Sequence, residues 1–247
     1  MDGTTVLQEG KACAWDADGT NTFTQRKLQT GLIKVQKAFC NKDFWEYYMN
    51  EMVKAAANDT DLVFEKELVE REMALIQEAN EKLLWQGDTT SGTPNLAHID
   101  GLVKLIDAAS TVVEGNISDE TSITEANVIS VMKDVYRSIP EAIIGKVKYF
   151  FVSSEVFRKY KMAIISANLY HFDPKEYGVD EMPVIGTEIV LVRIPGLTGI
   201  DNRVFAAIWD EHVFLGVDMI SDAETVDMWY SQDNRQHRME VGYNMGV

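Results

Sequence analysis

The chain has 247 residues, is 46% hydrophobic and 25% charged, and its 23 basic and 39 acidic residues leave a net charge of −16. Length and composition fit a globular protein of one large or two small domains, and the acid excess works against any grip on nucleic acid through phosphates. No apolar run of about 18 residues is present to span a bilayer, and Met1–Trp15 lacks the basic and apolar regions of a signal peptide.

Residues 8–38 read as extended chain, with Asp18-Gly19 as a strong two-residue hairpin turn. Thr22, Thr24, Arg26 and Leu28 alternate with their neighbours, and Gly31–Phe39 continues the strand, Ile33, Val35 and Lys37 on one face. A hairpin this far ahead of any helix has little to pack on within its own chain. Asn41 is a good N-cap for a helix through Phe44, Trp45, Tyr48, Met49, Met52 and Val53, with Asp43 in its favourable first turn. Asn58–Asp61 interrupts that pattern and recaps a long helix over 61–85, about 37 Å at ~1.5 Å per residue.

This long helix carries a narrow apolar stripe, Leu68 and Leu75 on one row and Val69, Ile76 and Leu83 on the next. Its acidic face reads as solvated surface or subunit contact. It stops at Trp85-Gln86-Gly87-Asp88, and Gly87, Gly92 and Pro94 make 86–97 a loop. Gly101–Ser110 is a short amphipathic helix. Ser122-Ile123-Thr124-Glu125 has capping-box spacing and opens a helix through Val128, Ile129, Met132, Val135 and Tyr136, closed by Pro140. Val147–Val152 suits a buried strand, and Ser153 or Ser154 caps a further helix to about Ala167.

After a loop over 168–182 the texture turns to strands: Thr187–Arg193, Arg203–Trp209, His212–Val217, Thr225–Tyr230 and Gln236–Tyr243, with Trp209–His212 as a hairpin turn.

Local chemistry is sparse. There is no phosphate-cradling glycine loop, no nucleophile elbow and no zinc-protease motif. Asp16-Ala17-Asp18-Gly19 starts like a calcium loop, but Asn21 and Lys27 stand where glycine and glutamate are needed, so it reads as a turn. Cys13 and Cys40, the only cysteines, make neither a zinc site nor a disulfide framework, and fit synthesis in a reducing cytoplasm. His98 and Asp100 could be an acid–base pair, but an N-cap by Asp100 explains the fragment more simply. His171, His212 and His237 stand alone. No catalytic, cofactor-binding or metal residue is assigned.

The ordered set of features resembles the major capsid proteins of tailed bacteriophages, the Hong Kong ninety-seven-type shell fold shared with encapsulins. The resemblance rests on Lys82–Asp88 followed by His98–Leu102, on Tyr149–Phe157, and on Val213–Asp218 with the closing Tyr243–Val247. It is nearest to shell proteins of gut Bacteroidales and crAss-like phages, where an Asn-x-Asp-Phe helix start (here Asn41–Phe44) also follows an extended segment. It implies an α+β fold, elongated and flat. Residues 1–40 would be an extended arm, 41–101 a peripheral domain with spine helix 61–85, 102–215 an axial α/β domain, and 216–247 strands returning to the peripheral domain. The WQGD-to-HIDG passage would cross between the domains, the expected place for a hinge.

Family members usually carry a longer N-terminal arm, often with a scaffolding segment that a protease removes, so a trimmed or processed product is expected. The implied function is structural rather than enzymatic: a self-assembling virion shell of hexamers and pentamers around double-stranded DNA, made in the bacterial host cytoplasm. Its partners would be copies of itself, with scaffold, portal and maturation protease, and no membrane, cofactor or sequence-specific nucleic-acid contact. Two other readings compete: an encapsulin-like compartment, and an α/β enzyme with a site assembled from residues such as His98, Asp100 and Glu155. The enzyme predicts a deep pocket with perturbed titrating groups.

Overall fold

The computed structural model describes residues 2–3, 21–22, 25, 27–40, 63–115, 122–167, 179–217 and 226–247. The expected Asp18-Gly19 turn, the helix from Asn41, and Asp16, Cys13 and His171 lie outside them. Two short strands bracket the expected turn: β1 (Asp2–Gly3) pairs antiparallel with β2 (Asn21–Thr22).

The chain is α+β, organised as two four-stranded sheets joined by one long helix. In the first sheet, β3 (Gly31–Cys40) runs antiparallel to β10 (Gln236–Gly246) over ten residues, from Gly31 opposite Met245 to Cys40 opposite Gln236. The other edge of β10 takes β8 (Gly216–Val217) and β9 (Asp227–Ser231). Alternation sends Ile33, Val35, Met239, Val241 and Met245 to the face packed on helix α1 (Val63–Gln86). The α1 stripe is Leu68, Ile76, Leu83 and Trp85, with Glu72 inside it. Leu75, expected in the stripe, is exposed, because seven residues fall about 20° short of two turns of an ideal helix and the buried face runs on through Glu72, Ile76 and Leu83 instead. Lys37 of β3 forms an ion pair with the buried Glu72, and the Tyr243 hydroxyl donates to Asn80 Oδ1 at 2.5 Å.

The second sheet has the order β5 (Glu181–Pro183), β6 (Val190–Arg193), β4 (Tyr149–Val152), β7 (Val204–Ala207). Only β4 and β6 are parallel. Phe150, Val152 and Leu191 face helices α3 (Val128–Ser138) and α4 (Ser154–Ser166) in the largest core of the molecule. Phe151, Phe205 and Val192 face the other way, towards α2 (Leu102–Ala108) and the end of α1. The Ser153 hydroxyl accepts from Val156 N at 3.3 Å and caps α4, as its spacing predicts. Within this core the Tyr160 hydroxyl donates to Pro183 O and accepts from Ile185 N, and burial raises its pKa.

Three local expectations are corrected. The Ser122–Glu125 capping box does not start α3: Asn127 is its N-cap, the Asn127 side chain accepts from Thr124 N and donates to Ser122 O, and Glu125 accepts from Ser166. Trp209–His212 is not a hairpin turn but a short helix, α5, with the amides of Glu211 and His212 both bonded to Ile208 O. It carries the chain from β7 in one sheet to β8 in the other, so the expected strand 212–217 shrinks to two residues. The third, Asp100, belongs to the crossing described next.

Candidate functional site

The passage from α1 to α2 is where the two sheets are tied together. Gly87 N continues the helix ladder to Leu83 O at 2.8 Å, and the chain returns so that Gly101 N donates to Gly87 O at 2.8 Å. Both positions need glycine because backbone passes backbone. A Cβ on Gly87 would lie 2.5 Å from Ile99 O, and one on Gly101 2.5 Å from Gly87 N. The loop between them holds a polar cluster. Lys104 Nζ lies 2.7 Å from Asp88 Oδ1 and 2.6 Å from Asp100 Oδ1. Thr90 donates its amide and hydroxyl to Asp88, and Thr89 donates both to Asp100. Asp100 therefore turns back into the loop and does not cap α2, whose N-cap is Gly101 without a side-chain bond.

The Lys104 hydrogen bond, aided by Thr90, holds Asp88 down at about 2. Lys104 and Thr89 likewise lower Asp100, and the two carboxylates raise Lys104. A depressed carboxylate contributes fully above its ordinary pKa, and that contribution is lost as pH falls through the folded value. For Asp88 the window is from about 4 down to about 2. In a Lys104→Met variant, carboxyl-carbon NMR titration should show Asp88 and Asp100 moving up towards ordinary values. An unmoved Asp88 would exclude Lys104 as the main cause.

On the far side, α1 is bolted to the 3₁₀ turn Pro195–Leu197 that follows β6. Gln86 Nε2 donates to Gly196 O at 2.6 Å and Thr198 O at 2.9 Å, and Gly196 N donates to Glu81 Oε1 at 3.1 Å. Trp85 lies between Phe151 and Phe205, with ring centroids 5.9 and 6.1 Å away. Long-range bonds therefore pin this passage in the conformation seen here.

The residues named for an enzyme are not brought into one constellation. His98 is exposed, Asp100 is engaged by Thr89 and Lys104, and Glu155 sits on α4, its pKa lowered first by the Lys159 hydrogen bond and also by one to Asp201. None of the three lines the groove of about 220 Å³ between α3 and residues 184–187. His212 ends α5, the His237 ring lies 5.1 Å from that of Tyr230, and Cys40 is free. Among the described residues no group of three or more His, Cys, Asp or Glu is placed to hold a metal ion, and no helix is long and apolar enough to cross a membrane.

What the surface does present is unburied apolar side chains in several groups, two of which adjoin where Leu28 meets Gly216. Leu28 and Leu32 flank the start of β3, Phe214, Leu215 and Val217 surround β8, Trp229 and Tyr230 stand on β9, and Met162 and Ile165 on α4. Scattered apolar residues are ordinary on a monomer. Adjacent exposed pairs on regular elements are the form that contact surfaces between subunits take.

The α+β architecture of two sheets on a long helix is that of phage capsid-type chains. A chain from the satellite phage P4 procapsid, including size determination (Sid) protein, aligns with 100% of this chain and 76% of its own, at 11% identity and a TM-score of 0.58. A chain from Mycobacterium phage Ogopogo aligns with 99% of this chain and 79% of its own, at 12% identity and a TM-score of 0.51. The sequence matches no family profile and no curated protein. At such identities only the backbone fold is shared, which fits a structure whose determinants are buried alternation and glycine contacts rather than a motif.

Proposed function

We propose that this chain is a major capsid protein, the structural subunit of a bacteriophage shell that self-assembles into hexamers and pentamers around packaged double-stranded DNA. The observation that carries the reading is the likeness in fold to a procapsid chain along the whole of this chain. The exposed apolar pairs are what such a subunit would bury against its copies.

In this reading 41–101, with the spine helix 61–85, and 216–247 form the peripheral domain. Residues 102–215 form the axial domain that gathers at the capsomer axes, and 1–40 is the arm. Scaffold, portal and maturation protease are the further partners. The subunit is made in the host cytoplasm and ends in the virion, with gut Bacteroidales and crAss-like phages as the nearest kin. The net charge of −16 keeps an acidic wall from adhering to the genome. Negative-stain microscopy of the expressed full chain tests the proposal. Uniform hollow particles are expected, and a small monomer under all conditions would refute it. Particles that take up a protein cargo in place of DNA would mark an encapsulin-like compartment instead.

A further inference from the structure

Helix α4 carries an outward stripe that is about half exposed among the described residues. Val156, Phe157, Tyr160, Ala163 and Ile164 define its buried side. Arg158, Lys161, Met162 and Ile165 recur at i, i+3, i+4 and i+7 and form one contiguous row away from that core. Met162 is 50% and Ile165 48% exposed. Lys159 beside the row pairs with Glu155 at 2.6 Å, whereas among the described residues Arg158 and Lys161 enter no ion pair. Glu125, held by Ser166, bounds the row at its C-terminal end. Two cations beside two apolar side chains are conspicuous on a chain of net charge −16, although Arg158 also acts on Glu155 through its charge.

The complement of that row is apolar and acidic, and this chain presents such a segment. After α2 the backbone leaves regular structure, and Val112 (43% exposed) and Val113 (57% exposed) precede an exposed Glu114. We infer that the α4 row receives the Val112-Val113-Glu114 segment of a second copy, the valines against Met162 and Ile165 and the carboxylate against Arg158 and Lys161. The occupant is a copy of this chain because charge and apolarity match at both ends of the contact. We take the row of each copy to receive the segment of the next, a head-to-tail contact that closes into a ring where its rotation permits. The inference rests on the shell reading and names the contact that would close one of its rings.

Charge reversal tests it in the full chain. Lys161→Glu and Glu114→Lys should each cut particle yield at least tenfold in sedimentation and negative-stain counts, with the urea midpoint of the unassembled subunit unchanged. The Lys161→Glu/Glu114→Lys double variant should recover most of the yield. Single variants that assemble like the wild type, or a double variant that does not recover, overturn the contact while leaving the shell reading intact. A wild type that never assembles overturns both. Independently, a Val113→Cys/Ile165→Cys variant should form a ladder of disulfide-linked oligomers under mild oxidation, beyond whatever the native cysteines give in the wild type. The absence of that ladder also overturns the contact.

Discussion

Replacing Trp85 with alanine is expected to destabilise the chain by about 3–5 kcal/mol, the usual cost of emptying a buried aromatic site. Trp85 is 6% exposed and lies in the cluster with Phe151, Leu197 and Phe205. The site cannot collapse easily, because its walls belong to a helix, a sheet and a 3₁₀ turn that are each anchored elsewhere. A second effect distinguishes this position from other core residues of similar burial. Amides of α1 and of residues 195–198 should lose hydrogen-exchange protection together, since the ring and the Gln86 bonds hold the same junction. Urea unfolding measures the first effect. A loss under about 1 kcal/mol would mean that the two sheets do not depend on this contact.

The second large effect is expected at Gly101. An alanine methyl there would sit 2.5 Å from Gly87 N, 2.9 Å from Leu84 O and 2.9 Å from the Trp85 carbonyl carbon. All three are backbone atoms at a helix end, so none can swing aside as a side-chain tip would. Separating the strands of the crossing would also break the 2.8 Å bond from Gly101 N to Gly87 O. A cost of about 2–3 kcal/mol follows from overpacking of this kind. Gly92 is the control within the same loop. A Cβ there meets nothing within 4 Å and its φ is not positive, so Gly92→Ala should change stability by no more than about 0.5–1 kcal/mol. Equal thermal shifts for the two variants would show that the clash is relieved by movement of the loop.

The sequence was most legible where a local signal and a buried face coincide. Ser153 ahead of α4, the VKYFFV run behind β4 and, in the apolar stripe of α1, Leu68, Ile76 and Leu83 sit where periodicity places them. It was least legible where the deciding partner is far away in the chain. Asp100 has the spacing of a cap, yet Lys104 and Thr89 together offer its carboxylate more bonds than a helix amide would. Trp209–His212 has the composition of a turn, but the chain must change sheets there, and a helical turn makes that change. Nothing local announces that Gly196 must be bare so that Glu81 and Trp85 can approach it. The α4 row could have been found by counting forward from the Ser153 cap. Its burial pattern then assigns Met162 and Ile165 to the outer side. The Val112-Val113 pair gives no periodic signal, because it belongs to no described element.

The ten-residue ladder between β3 and β10 joins segments about two hundred residues apart. Closing so long a loop is entropically slow, whereas every strand of the second sheet comes from within 149–207. On the ribosome, therefore, the second sheet can be complete while α1 still lacks the strand that covers it. Until that strand emerges β3 has no partner, and its edge stays open. Order of synthesis therefore delays the first sheet until β10 has been made.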